Sequence, residues 1–263
     1  MFFKVIIPVF NSAEYLKGCL DSVITQTFTD WMLFIADDQS TDGADEIVRE
    51  YAARFPEKIK AFYNSKKRYN GGSRNTLMEL SANADALYTL FLDCDDKFTD
   101  NRVMEAIHQV ATANGLPDCI RLSYNFVTEG GAQTIVLDHR SPQQLVWDQN
   151  CASWTKCVKT ALFAPFPENT LNEDTTHHLA QCDKIQTVVP LLRACVDWNR
   201  ANPKSTSRAG SPQRQKWDNA LYRCLADVMD LQLETPHCKA AQRAKILQLK
   251  QEIMARLRSE GIA

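Results

Sequence analysis

Four short apolar runs, residues 4–10 (KVIIPVF), 31–38 (WMLFIADD), 58–64 (KIKAFYN) and 86–92 (ALYTLFL), are separated by stretches of helical periodicity. This alternation constrains the fold more than any other feature. Leu16, Leu20, Val23 and Ile24 recur at helical spacing after the first run, as do Ile47, Val48, Tyr51 and Phe55 (44–55) after the second. A third helix is expected over 73–83. Asn11, with Glu14 three residues later, is expected to cap the first helix. Strands alternating with helices of this length form βαβ units around a parallel sheet, and such sheets bind ligands beyond the carboxyl ends of their strands. Two of the four runs end in carboxylates: Asp37 and Asp38, then Asp93, Asp95 and Asp96. Like charges so close repel unless something positive joins them.

The second half reads differently. Residues 120–138 look like an antiparallel hairpin turning at Gly130-Gly131, and 141–163 like loop with a short helix. A helix is expected to start at Asn172, with Glu173 and Asp174 in its first turn. "KIQTVVPLL" and "ACVDWNR" read as two late strands broken at Pro190. Residues 201–213 are rich in Pro, Ser and Gly and read as a linker. Two helices are expected beyond it, one with Trp217, Leu221, Leu225 and Val228 on a face, the other with Ile246, Leu249, Ile253 and Leu257. The expected organisation is an α/β domain over 1–208 and a C-terminal helical extension over 209–263.

A net charge of −2 gives no global pull toward nucleic acid or membrane. Nine cysteines without a CxxC pair argue against a disulfide framework and a zinc ribbon, and for free thiols in a reducing cytosol. The start, MFFKVIIPVFN, has no basic region and its apolar run stops at Pro8. Neither a signal peptide nor a membrane span is expected, so the protein reads as cytoplasmic.

The DCDD segment has two readings. It is a solvated acidic turn, or it holds a hard divalent cation such as Mg²⁺ or Mn²⁺, which takes one or two carboxylates plus substrate phosphates. Residues i and i+2 leaving a strand point the same way, so Asp93 and Asp95 can face one ion.

The segment VIIPVFNSAEYLKGCLDSVITQTFTDWMLFIADDQSTDGA resembles the opening of family 2 glycosyltransferases of the GT-A fold, with their P-x-[YF]-N, Q-T-[FY] and D-D-x-S-x-D stretches. FLDCDD resembles their D-x-D motif, FPENTLNED the run leading to their catalytic base, and WNRANPKSTSR their closing Asn/Ser/Arg stretch. The resemblance spans residues 4 to about 208. It implies a Rossmann-like, mostly parallel sheet with flanking helices, and a metal-dependent, inverting transfer of sugar from a UDP-sugar to an acceptor hydroxyl. It also implies roles. Pro8, Val9 and Phe10 lie against the nucleotide base, and Asp38 hydrogen-bonds that base. Asp93 lies near ribose and metal, Asp95 is the principal metal ligand, and Cys94 is the variable middle position. Asp174 is the base and Glu173 its support. Asp96 follows the motif without being assigned as a ligand.

Some readings stay open. Glu173 and Asp174 also suit a helix N-terminus by dipole compensation. YNGGSRN (69–75) is shorter than the family's N-x-G…A-R-N stretch, which leaves open whether Arg74 faces the diphosphate. Lys66, Lys67 and Arg68 read as a solvated face or a phosphate clamp. His177 and His178 are ordinary helix residues or touch acceptor or phosphate. Trp154 and Lys156 resemble an acceptor-side segment, but Trp154 equally suits core packing. No Q-x-x-R-W motif is present, which argues against a processive synthase. The alternatives are a non-catalytic nucleotide-sugar or glycan-binding module and a sugar nucleotidyltransferase, although the Gly-rich loop of the latter is missing after the first strand. The acceptor is left open among glycan, lipid-linked sugar, protein and modified nucleic-acid base. Residues 214–263 carry nine Lys/Arg against six Asp/Glu, too mild an excess to choose among these or to decide on a peripheral membrane contact.

Overall fold

The computed structural model describes residues 1–146, 151–168 and 173–203, with isolated positions 247, 251 and 255. The first half is a series of βαβ units. β1 (Phe3–Val9) leads through α1 (Ala13–Ile24) to β2 (Trp31–Asp37), and α2 (Ala44–Arg54) leads on to β3 (Ile59–Tyr63). After α3 (Tyr69–Leu80) the chain crosses to the far side of β1 and adds β4 (Tyr88–Phe91). All pairings among these four strands are parallel. The strand order β3-β2-β1-β4 reverses direction at β1, a topological switch point, where open α/β sheets place their ligand crevice. Register deepens that crevice. β4 accompanies β1 only from Phe3 to Ile6, so Ile7, Pro8 and Val9 have a strand neighbour on the β2 side alone. A proline, which lacks the ladder donor, is tolerated there.

Each face of the sheet buries its own layer. Val5, Ile7 and Val9 of β1 pack with Leu16, Leu20 and Val23 of α1 and Val48 of α2. Ile6 points the opposite way and joins Phe34, Ala36, Leu77 and Met78 under α3. Every residue of β1 is buried, as expected of a central parallel strand covered on both sides.

The second half comprises β5 (Lys97–Phe98), α4 (Val103–Ala113), β6 (Cys119–Thr128), β7 (Gly131–Ile135), α5 (Pro142–Val146), β8 (Lys156–Lys159), α6 (Glu173–Cys182) and β9 (Val188–Asn199). The sheet order is β3-β2-β1-β4-β8-β6-β9-β5, with β7 added to β6. β8 runs antiparallel to both β4 and β6, and β6 pairs with β9 in parallel. The expected hairpin is β6–β7, with Gly131 at φ +124, where only glycine is unstrained.

Four expectations change. α3 starts at Tyr69 rather than Ser73, so Gly71 and Gly72 lie inside its first turns. α1 is not capped by Asn11: Ser12 holds the N-cap position without a side-chain bond, and Asp42 Oδ2 accepts from the Ala13 N–H at 2.9 Å instead. The stretch 141–163 contains a central strand, β8, which its two lysines disguised. The two late strands are one, β9, running through Pro190. On the side away from β6, β9 pairs with β5 only at Val196 and Asp197, so Pro190 withholds no donor from a neighbour there.

Among the described residues no helix is long and apolar enough to cross a membrane. The described cysteines are all free thiols, as expected; Cys224 and Cys238 lie outside the described residues. So do Asn172, the boundary at 208, Lys204 to Arg208 of the closing Asn/Ser/Arg stretch, and the helices proposed around Trp217 and Ile246.

Candidate active site

The loops after β1 and β2 are laced together at the crevice. Asn11, at φ +47, accepts from Thr41 N at 2.8 Å, and its own N–H donates to Ser40 Oγ at 3.0 Å. This leaves Phe10 exposed (41%) at the mouth, with the Lys67 ammonium over its ring, while Pro8 and Val9 stay buried beneath.

Asp38 is buried, and both its oxygens are engaged. Oδ1 accepts from Asn64 Nδ2 (2.9 Å) and Arg68 N (2.8 Å), Oδ2 accepts from Tyr69 N (2.8 Å), and Lys67 pairs with it at 3.6 Å. Its visible work is to hold the loop that enters α3. Its neighbour Asp37 accepts from Gln39 N and Ser40 N through Oδ2, and its buried Oδ1 has no partner among the described residues.

Arg74 is the centre of the site. It projects from α3, is fully buried, and donates to Asp93 Oδ1 at 2.5 Å, Glu173 Oε1 at 2.5 Å and Asp174 Oδ1 at 3.2 Å. The sequence left its direction open; it faces three of the predicted site carboxylates. The segment carrying Glu173 reaches Arg74 because Gly71 permits close approach. A Cβ on Gly71 would lie 2.5 Å from the Pro167 carbonyl and 3.1 Å from Glu173 Cγ. Asn75 fastens the same strap, donating to Phe166 O (2.9 Å) and accepting from Phe166 N (2.8 Å), and Arg68 pairs with Glu168 at 2.8 Å.

Burial raises Asp93 to about 6, with Asp174 and Asp95 adding to the shift and Arg74 opposing it. Burial, then Asp174, raises Glu173 to about 7, again against Arg74. Asp95 is raised by burial, and its Oδ2 accepts from Asn202 Nδ2 at 2.7 Å. Asp96 is raised well above the ordinary range by burial and by Asp95 and Asp93; its Oδ1 accepts from Asn199 N at 2.8 Å and its Oδ2 has no partner among the described residues. Arg74 is itself held protonated: burial disfavours its charge, but Asp174, Asp93 and Glu173 outweigh it. One arginine among these five carboxyls leaves a surplus of negative charge. Their hard oxygens fit a divalent cation. Among the described residues no three His, Cys, Asp or Glu converge on a metal position. Cys94 Sγ turns away to Ser12 Oγ (2.9 Å) and is raised by burial to about 12, which keeps it a thiol.

Asp174 is 25% exposed, and Ser153 Oγ donates to its Oδ1. His177 is buried and stacks on Phe166 with centroids 3.7 Å apart. His178 points into the protein, with Nδ1 2.9 Å from Lys156 Nζ. Trp154 is core, packed on Tyr124 and Trp198. Asn199 and Asn202 belong to the closing Asn/Ser/Arg stretch noted in the sequence but had no individual role there, and Ser153 went unnoticed, since single polar residues in strand ends and turns carry no pattern.

Comparison with known proteins identifies the fold and the family. A Staphylococcus aureus TarS fragment (residues 1–349) in complex with UDP-GlcNAc superposes with a TM-score of 0.76 at 21% identity, over 98% of this chain and 73% of that one. The mannosyltransferase PcManGT of Pyrobaculum calidifontis, in complex with GDP-Man and Mn²⁺, superposes at 0.61 with 14% identity, over 98% and 75%. These likenesses show the GT-A fold. In sequence, a Bacillus subtilis glycosyltransferase named for teichuronic acid biosynthesis, TuaG, is 32% identical over 100 residues, 38% of each protein. The chain thus matches well under half the length of that relative. Residues 4–148 match the pattern of Glycosyl transferase family 2, and the chain belongs to that family.

Proposed function

We propose that the protein transfers a sugar from a UDP-sugar to an acceptor hydroxyl, with inversion, in a unit spanning 1–208. The observation that carries this is the convergence on Arg74 of Asp93 from the β4 end and of Glu173 and Asp174 from the start of α6. A charged cluster at a sheet's switch point, partly open to solvent, suits a diphosphate donor on one side and an acceptor on the other. The nucleoside rests against Pro8, Val9 and Phe10. Asp38 shapes that end by holding the loop at Arg68 and Tyr69, instead of offering a free acceptor to the base. Asp95 and Asp93 would hold Mn²⁺ or Mg²⁺, which would neutralise the diphosphate and make it a better leaving group. Asp174, the more exposed carboxylate of the α6 pair, takes the proton from the acceptor hydroxyl, and buried Glu173 holds Arg74 beside it. The UDP-GlcNAc and Mn²⁺ complexes of the structural neighbours are consistent with this donor and metal class.

Calorimetry of UDP with and without Mn²⁺, on the wild type and Asp95→Asn, tests the reading, together with mass spectrometry of a UDP-sugar panel. Metal-dependent UDP binding lost in Asp95→Asn is expected. Equal affinity in both proteins rejects the metal assignment.

A further inference from the structure

Asp174 is held from two sides. Arg74 and the Ser153 hydroxyl both donate to Oδ1, and no described residue engages Oδ2. Ser153 opens a single helical turn, Ser153–Thr155, that leads into β8. That turn is fastened by Lys156. The Lys156 ammonium is buried and donates to Cys151 O (3.0 Å), Ala152 O (3.2 Å) and His178 Nδ1 (2.9 Å), which uses all three of its protons. His178 then presents its Nε2 proton to Leu145 O at 2.7 Å, so its tautomer is set from both sides. Arg121 adds a bond to Thr155 O at 2.9 Å. Four residues, about one helical turn, separate His178 from Asp174 on α6. Lys156 therefore ties the Ser153 turn to the helix that carries Asp174.

A buried ammonium is costly, and burial lowers Lys156 to about 8. His178 is held well below the usual range by burial and by Lys156, which keeps it a neutral acceptor. A purely apolar contact would join two segments at less cost, but it would not fix the angle between them.

We infer that Ser153 is a positioning residue for Asp174, aimed by the Lys156–His178 clamp. With Arg74 it occupies Oδ1 and leaves Oδ2 to meet the acceptor hydroxyl. This rests on Asp174 being the general base. An ionised carboxylate with one oxygen pinned loses its freedom to rotate, and correct orientation at a reacting atom is worth orders of magnitude in rate.

The test uses the whole chain with Mn²⁺ and either UDP-glucose or UDP-N-acetylglucosamine, reading UDP release. Ser153→Ala is expected to lower kcat about 10-fold or more, since hydrogen bonds to charged groups contribute at that level. The donor KM stays unchanged. Ser153→Thr, which keeps the hydroxyl, restores most of the rate. Lys156→Met lowers kcat in the same way; because it also removes the shared donor of Cys151 O, Ala152 O and His178 Nδ1, the two Ser153 variants are the deciding comparison. A slow Asp174→Asn beside a Ser153→Ala of wild-type rate overturns the inference and leaves the base reading intact. Asp174→Asn at the wild-type rate overturns both. Independently of turnover, thermal melts of Ser153→Ala, Asp174→Ala and the double variant give a mutant cycle. Non-additive losses are expected from the shared bond, and simple additivity overturns the inference.

Discussion

Arg74 donates to Asp93 across 2.5 Å, tying the second turn of α3 to the loop that leaves β4. The same guanidinium reaches Glu173 and Asp174, a hundred residues farther on, so one buried cation joins segments on both sides of the crevice. Arg74→Met leaves those carboxyls without their shared partner. Removing one member of a buried ion pair costs about 3–5 kcal/mol, and a loss of that size is expected in urea unfolding at neutral pH. A loss below about 1 kcal/mol, the level of a surface pair, would show that the cluster is solvated.

The acid–base balance of the cluster sets a pH dependence. Glu173 lies at about 7 and Asp93 at about 6 in the folded protein, above their ordinary values of 4.5 and 3.8. The folded state thus holds these protons more tightly than the unfolded chain. Their contribution to stability is greatest below the ordinary values and is lost as pH rises through about 4 to 7. Buried His177 and His178, held well below their usual range, act in the opposite direction over the same window, so the wild type is compared with Glu173→Gln. The melting-temperature advantage of the wild type over that variant is expected to be larger at pH 5.5 than at pH 7.5. A difference flat or rising with pH contradicts the raised value of Glu173.

Glycines at two helical positions should respond in opposite directions. Gly71→Ala places a methyl 2.5 Å from a backbone carbonyl, with Phe166 Cβ at 3.2 Å, and is expected to cost about 1–3 kcal/mol by overpacking while loosening Glu173 from Arg74. Gly18, in α1, has nothing within 4 Å of such a methyl, so Gly18→Ala should stabilise by about 0.5–1 kcal/mol. Chemical denaturation of the two variants side by side checks the contrast.

Asp174→Asn keeps the shape but cannot accept a proton. Turnover is expected to fall at least ~100-fold with UDP and metal affinity unchanged. If the group only compensated the helix dipole, activity would stay and stability would drop by about 0.3–1 kcal/mol. Turnover, UDP calorimetry and a melting curve on one preparation separate the two.

Asp38→Ala removes the acceptor of two backbone N–H groups and of Asn64. Stranding buried donors costs about 1–3 kcal/mol each at most, so a clear stability loss is expected, with donor affinity weakened through the displaced loop. The preference for UDP over CDP should persist. A variant that folds normally and binds both nucleotides equally would return base reading to Asp38.

The alternation of buried strands with amphipathic helices determined the parallel sheet, and with it the crevice, because the periods of 2 and 3.6 are local properties written residue by residue. Carboxylates at the ends of the second and fourth runs marked the crevice for the same reason: leaving a strand is a local event, visible in LFLDCDD alone. Asp42 replacing Asn11 as the cap of α1, β9 running through Pro190, and the burial of Lys156, Cys157 and Val158 in β8 depended on neighbours distant in sequence. So did the meaning of Arg74. Its 0% exposure and three carboxylate partners exist only because Gly71 lets the strap before α6 press against α3, and a separation of about 100 residues leaves no trace in either segment. Local physics named the charged groups; tertiary packing decided which of them share one cation, because a Coulomb interaction depends on distance in space and on burial, and neither is encoded at a single position.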